Sequence, residues 1–228
     1  MKKFKKLIPA FCLLLVSAVL MGTSTFAWFS MNKTVKATGM TITAKSDSVF
    51  LVINEGSTFT KDGTAKEVTS AAAEKELYPV MPKTPFTNAS AATDVSTATN
   101  WQFAYSDDIN VSKSPSSLTY YPCTTENWGN YVASETFSLG LNENSSLTES
   151  DKEITIKSIT LPTDTGIKVI VVCGEKVALA AGDSLGVKAT KTGVVVTVYY
   201  YIDGEDGNVY TTNTANLTGS VAIEFTVE

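Results

Sequence analysis

The sequence predicts an all-β protein, a jelly-roll-like antiparallel β-sandwich with long loop insertions and one short helix. Short alternating or β-branched segments recur in the C-terminal third, separated by Gly and Asp turns, which is typical of sandwiches and jelly rolls. No long amphipathic segment separates them, so a parallel α/β fold is not expected. The chain of 228 residues is long enough to bury one substantial core.

The first 27 residues have the organisation of a secretion signal. Lysines at positions 2, 3, 5 and 6 precede an apolar run over residues 7–21, which is short for a membrane span. Small residues at the −3 and −1 positions, Thr25 and Ala27, predict cleavage between Ala27 and Trp28. An uncleaved N-terminal anchor is the alternative, because the apolar stretch extends to Phe29 if the polar residues 23–25 are tolerated within it. Contact with a membrane is expected only in that case.

Two strands are predicted after the cleavage site. Residues 34–44 alternate in polarity, and residues 48–54 are apolar and β-branched. Trp28 and Phe29 stand at the new N-terminus, where leaving them in water costs roughly 2 kcal/mol each when a buried site is available. We therefore expect both side chains to occupy a pocket, either in the same subunit or in a neighbouring one.

Residues 56–100 are predicted to be a loop and helix insertion that lies over the sandwich. The only helix expected in it spans residues 69–77, with Thr69 as its N-cap. Prolines at positions 79, 82 and 85 then exclude regular structure. The insertion has too few large apolar residues to build a core of its own, so residues 28–228 are predicted to form a single domain. A domain boundary within the insertion is the alternative.

The remaining strands are predicted over residues 101–106, 118–121, 131–141, 153–161, 167–173, 176–181, 193–202, 208–212 and 220–227. The segment 167–173 is apolar apart from Lys168, which favours an interior strand. In the segment 101–106, the aromatic residues Trp101, Phe103 and Tyr105 share one face. Such a stripe either stacks on sugar rings or packs in the core, and core packing is the favoured interpretation.

The N-terminal region resembles a known family. Residues 22–30, GTSTFAWFS, and residues 36–44, KATGMTITA, are similar to the N-terminus of the TasA and camelysin family of secreted Firmicutes proteins. The matching positions are Gly22, Thr23, Phe26, Ala27, Phe29, Ala37, Gly39, Met40 and Ile42. Beyond them the resemblance extends only to a similar closing strand over residues 220–227.

This resemblance implies export through a dedicated signal peptidase and a jelly-roll domain. It also implies polymerisation, because some members of the family form biofilm-matrix fibres by donating the N-terminal strand to the next subunit. The candidate assembly strand consists of Trp28, Phe29, Val35, Ala37, Gly39, Met40 and Ile42.

The composition limits the chemistry. The net charge is −5 and falls to about −9 once the four signal lysines are removed, whereas nucleic-acid binding requires clustered basic residues. Histidine is absent, which excludes Ser-His-Asp and Cys-His nucleophiles, HExxH zinc sites and an imidazole base. The chain is therefore expected neither to be an enzyme nor to bind nucleic acid. A glycosidase-type carboxylate pair stays the less favoured hydrolase alternative, since no spacing selects one.

Two further sets of residues are candidate sites. Cys123 and Cys173 either form a disulfide, as exported proteins permit, or are two separate buried thiols. Asp203, Glu205 and Asp206 either wrap a calcium ion or form a hairpin turn. The turn is favoured because Asp-Gly pairs adopt positive φ readily. No other cofactor is expected.

Together these features predict an exported structural protein, located outside the cell or at its surface. Self-association through residues 28–45 is expected, with the signal peptidase and cell-surface or matrix components as further partners. The alternative is a secreted binding module for a glycan or a cell-surface partner, which would use Trp101 or the loops over residues 56–100 and 107–130.

Overall fold

The structure, a computed structural model, describes residues 41–46, 51–61, 65–70, 77–105, 119–163, 165–206, 209 and 220–227. Within these ranges the chain forms one α-helix and thirteen strands: β1 (Thr41–Ser46), β2 (Leu51–Glu55), β3 (Glu67–Ser70), β4 (Met81–Pro82), α1 (Ala92–Ser96), β5 (Trp101–Tyr105), β6 (Thr119–Pro122), β7 (Val132–Leu141), β8 (Glu149–Thr160), β9 (Ile167–Cys173), β10 (Lys176–Ala178), β11 (Ser184–Thr190), β12 (Val194–Ile202) and β13 (Ser220–Thr226). In the same ranges no helix is long and apolar enough to cross a membrane.

Two five-stranded sheets pack face to face, which confirms the predicted all-β sandwich. The first sheet has the strand order β11-β8-β13-β1-β3, and the second has the order β10-β9-β12-β7-β2. Their facing side chains form the main core, in which Phe137, Leu139 and Phe225 are fully buried. The core positions alternate with outward-facing positions along each strand, as the pleat of a strand requires.

Strand β1 is an interior strand of the first sheet. It pairs in parallel with β13 over its whole length, so that Thr41 lies opposite Ser220, and in antiparallel with β3 on its other side. Ile42 and Ala44 project into the main core and are fully buried. The last part of the predicted assembly strand therefore belongs to the subunit's own sheet. All other pairs of named strands are antiparallel, so β1 and β13 form the one parallel pair among them.

A third layer covers the outer face of the second sheet. This covering layer, residues 77–105 and 119–131, contains the small sheet β4-β5-β6 and α1. Its side chains form a second core together with outward-facing residues of the sandwich. From the layer come Val80, Val95, Trp101 and Cys123, and from the sandwich come Val132, Ile170, Val177 and Tyr201. Most of β9 is thus buried on both faces, which explains why the strand is apolar apart from the exposed Lys168.

The predicted insertion is corrected in two respects. Thr69, the expected N-cap, lies in β3, an edge strand of the first sheet, and residues 71–76 lie outside the described ranges. A helix also forms at Ala92–Ser96, where a loop was predicted. Val95 is buried there and its carbonyl accepts a 2.9 Å hydrogen bond from Trp101 Nε1. Tertiary packing of the helix under a tryptophan therefore outweighs its weak local propensity.

Strand β11 was not predicted. Its sequence SLGVKAT buries only Leu185 and Ala189, so the apolar alternation is sparse, and Gly186 has a positive φ of 70°. Edge strands tolerate such breaks because one side of the ladder has no partner to satisfy. The predicted strand over residues 208–212 lies outside the described ranges except for Val209, which is buried and not in a strand.

Candidate binding cleft

A cleft of about 740 Å³ lies where the covering layer meets one corner of the sandwich. The end of β8, the start of β9 and the end of β12 form its floor, and the segment that begins with β4 forms its roof. The apolar lining includes Pro82, Pro85 and Phe86 from the covering layer, Ile159 and Leu161 from the end of β8, and Leu179, Ala180, Ala181 and Tyr201 from the second sheet and its connections.

Aromatic packing holds the roof in place. The buried ring of Trp101 contacts Phe86 at a centroid distance of 5.2 Å and Tyr201 edge-on at 4.8 Å. Tilted and edge-to-face arrangements of this kind add to the energy of burial. The cleft therefore has an aromatic wall whose position is fixed by the second core.

Backbone hydrogen bonds fix the acidic end of the cleft. Val80 N donates to Ile202 O at 2.9 Å, and Gly204 N donates back to Val80 O at 3.1 Å. Asp203 N donates to Gly166 O at 2.8 Å. The turn that carries Asp203 and Glu205 is thereby tied both to the covering layer and to the connection between β8 and β9.

Four charged side chains line the cleft: Lys83, Lys168, Asp203 and Glu205. Burial raises the pKa of the Asp203 carboxyl, although the Glu205 amide and the Lys168 ammonium act in the opposite direction. Lys168 Nζ lies 3.6 Å from Asp206 Oδ2, so part of its charge is already balanced. The cleft thus combines apolar walls with one partly buried carboxylate and a second acidic side chain.

Asp203, Glu205 and Asp206, the candidate calcium residues, lie together in a turn. Asp203 Oδ1 accepts a 3.0 Å hydrogen bond from Glu205 N, and Asp206 N donates to Asp203 O at 3.1 Å. These contacts describe a turn, which was the favoured alternative. Within the described ranges, no three acidic, histidine or cysteine side chains come together as a metal site.

Of the two alternatives for Cys123 and Cys173, the structure supports two separate thiols. Both are free, buried thiols. Cys123 belongs to the covering layer and lies in the second core, whereas Cys173 belongs to the main core between the sheets. Because the second sheet separates the two cores, the alternative of two separate thiols is the correct one.

The predicted aromatic stripe divides between core and surface. Trp101 has no exposed surface, so it cannot stack on a sugar. Phe103 stacks on Tyr131 at 4.8 Å and on Tyr121 at 6.0 Å, and Tyr121 is 44% exposed. Tyr121 was not singled out from the sequence, although its position in a predicted edge strand was the available signal. The side chain of Tyr105 lies outside the described residues.

Most of the N-terminal site residues lie outside the described ranges. These are the cleavage pair Ala27 and Trp28 and the assembly residues Phe29, Val35, Ala37, Gly39 and Met40. Of the candidate assembly strand only Ile42 is described, in β1 and fully buried. The residues that line the cleft, apart from Asp203 and Glu205, were not recognised from the sequence, because they come together only in the tertiary fold.

Comparisons of this chain with protein-family models, with curated proteins and with solved structures find no match.

Proposed function

We propose that this chain is an exported structural subunit, found outside the cell or at its surface, that associates with further copies through the segment 28–40. The observation that carries the proposal is the position of β1. This segment continues directly into an interior strand of the first sheet, whose side chains Ile42 and Ala44 are fully buried. A contact made by residues 28–40 would therefore be anchored in the core rather than in a mobile tail.

Charge supports association with another copy of the same chain. Six of the 18 lysines and none of the 23 acidic residues precede position 41, so residues 41–228 have twelve lysines and a net charge of −11. Residues 28–40 carry Lys33 and Lys36 and no acidic residue. A basic, apolar segment attached to an acidic body is complementary to the surface of its own copies.

The edges of the two sheets, as the described ranges define them, support the same proposal. Strands β3 and β11 are the edges of the first sheet, and β10 and β2 are those of the second. Strand β3 has only four residues and pairs with four of the six residues of β1. Edge strands with open backbone groups accept an additional strand from another molecule.

The experiment compares a chain that begins at Trp28 with one that begins at Thr41. The second chain keeps β1, so the core is retained while residues 28–40 are lost. We expect the longer chain to assemble, as followed by light scattering and electron microscopy, and the shorter one to remain monomeric. Circular dichroism and thermal unfolding of both chains serve as the control for folding.

The expected assembly also depends on ionic strength, because exposed charges are screened by salt over about 8–10 Å at physiological concentrations. A chain with Lys33→Gln and Lys36→Gln should assemble more slowly at low salt. Equal assembly by the chains that begin at Trp28 and at Thr41 would contradict a role of residues 28–40.

The exposed aromatic stack favours a second candidate function, binding of a glycan. Tyr121 presents a partly exposed ring on β6, supported from behind by Phe103. Flat rings of this kind offer an apolar face to a sugar. A glycan array should show binding that Tyr121→Ala removes and Tyr121→Phe retains. Binding that survives Tyr121→Ala would place the glycan elsewhere.

A further inference from the structure

We propose that the cleft beneath the covering layer is the binding site for the N-terminal residues Trp28 and Phe29 of the same molecule. The inference rests on the proposed cleavage before Trp28. It says where the start of the proposed assembly segment lies before the subunit associates. The free subunit holds its two aromatic side chains in its own cleft and releases them when it associates.

The topology brings the N-terminal segment to the correct end of the sandwich. Thr41 lies opposite Ser220 in the parallel pair of β1 and β13, and Ala222 lies opposite Thr160 at the end of β8. Strands β1 and β8 are separated only by β13, which corresponds to two strand spacings or roughly 10 Å. Leu161, the residue that follows β8, lines the cleft.

The length of the segment is sufficient. Residues 28–40 can span about 40 Å when extended, several times the distance across two strands. Tethering also gives the segment an effective concentration on the order of millimolar at its own cleft. An intramolecular site at this distance is therefore filled before a site on a second molecule, unless the second molecule offers a better contact.

The chemistry of the cleft matches the segment. Phe86, Tyr201 and the two prolines of the roof present apolar and aromatic surfaces to the two side chains. Asp203 and Glu205 lie at the end of the cleft, and the segment has an α-ammonium group, Lys33 and Lys36 but no carboxylate. Lys83 and Lys168 also line the cleft and oppose this attraction, but the charge of Lys168 is partly balanced by Asp206.

The experiment measures the exposure of Trp28 in the monomeric chain that begins at Trp28. Acrylamide quenching of tryptophan fluorescence is recorded for this chain and for its Trp28→Phe variant, and the difference reports Trp28 alone. We expect Trp28 to be quenched severalfold less than in the unfolded chain, with no dependence on protein concentration. Ala181→Phe fills the cleft from an exposed position and should restore full quenching, whereas Ala65→Phe, at an exposed position away from the cleft, should not.

Assembly kinetics provide the second readout. If the cleft holds Trp28 at rest, Ala181→Phe shortens the lag before assembly. Full quenching of Trp28 in the monomer would overturn the inference, and so would protection that appears only at concentrations where the chain assembles. If Trp28 is protected from quenching in a chain that never assembles, the proposed function is contradicted but the cleft site is supported. Failure of the inference and failure of the proposed function are therefore distinguishable.

Discussion

The side-chain amide of Asn88 donates a 2.8 Å hydrogen bond to Asp183 Oδ1 and so joins the covering layer to the turn before β11. The other oxygen of Asp183 accepts 2.8 Å hydrogen bonds from the backbone amides of Leu179 and Ala180. Burial acts to raise the pKa of this carboxyl, but the three hydrogen bonds together hold it below the ordinary value. One carboxylate thus closes the turn and fixes the layer above it.

Removal of this carboxylate should therefore destabilise the protein. We expect Asp183→Ala to lower the free energy of unfolding by about 1–2 kcal/mol, because two backbone amides and one side-chain amide lose a charged acceptor. Asn88→Ala removes only the hydrogen bond between the covering layer and Asp183, so it should lower the free energy of unfolding by a smaller amount. Denaturant unfolding measures both, with the exposed Asp151→Ala as a control that should have little effect. Equal losses in Asp183→Ala and Asp151→Ala would contradict the role of the turn.

The two perturbed aspartates should make opposite contributions to the pH dependence of stability. The pKa of Asp183 is lowered from 3.8, so its stabilisation is present above that value and is lost as the pH falls through the folded pKa. The pKa of Asp203 is raised from 3.8 by burial, so its ionised form destabilises the folded state at neutral pH, and the protein gains stability as this group takes up a proton.

We therefore expect Asp203→Asn to raise the free energy of unfolding at neutral pH. The variant keeps an oxygen that can accept the hydrogen bond from Glu205 N, and it should lose the stability gain on acidification. Unfolding curves recorded between neutral pH and about pH 4 test the prediction. A variant that is less stable than the parent at neutral pH would show that Lys168 compensates the buried charge.

Much of the sandwich could be predicted because each strand carries its own pattern. The alternation in β7 and β12 and the apolar run of β9 are local properties of the chain, and the structure confirms strands close to the predicted positions. Strand β11 escaped prediction because an edge strand with glycine and few buried residues has little pattern to read.

The covering layer and the cleft could not be predicted in the same way. Residues 77–105 contain too little apolar surface for an independent core, and they form one only because Ile170 and Tyr201 of the second sheet face outward. The cleft lining likewise combines residues from positions 81 to 205, which no local spacing relates. Only the charged turn at Asp203 was visible from the sequence, because its residues are consecutive.

The thiols of Cys123 and Cys173 should be unreactive in the folded protein. Burial raises the pKa of Cys123 and of Cys173 to about 11 in each case, and the thiolate is the reactive species. We expect Ellman's reagent to modify neither residue in the native chain at mildly alkaline pH and both after unfolding. An engineered Thr192→Cys at an exposed position should react at once. A reductant-dependent change in electrophoretic mobility would contradict the free thiols.

Gly140 in β7 should not tolerate a side chain. A Cβ atom there would lie 2.5 Å from Cζ of Phe59 and 2.7 Å from the backbone oxygen of Thr190. Gly140→Ala should therefore cost about 1–3 kcal/mol through overpacking. Phe59→Leu in the same chain should recover only part of this loss, since the Thr190 carbonyl stays in place. A double-mutant cycle that includes Phe59→Leu alone measures how much of the lost stability comes from the clash with Phe59. Full recovery would show that the backbone at Thr190 can move away from the new side chain.

Strand β1 should be essential for folding, and this separates its role from that of residues 28–40. Ile42 is fully buried between β13 and β3, so Ile42→Ala should cost about 2–5 kcal/mol. Thr41→Ala, at a half-buried position of the same strand, should lower the free energy of unfolding much less. Removing residues 28–40 should lower stability less than Ile42→Ala does, because the core is retained. If Ile42→Ala instead left the stability of the monomer unchanged and weakened only the assembled form, β1 itself would be the strand exchanged between subunits.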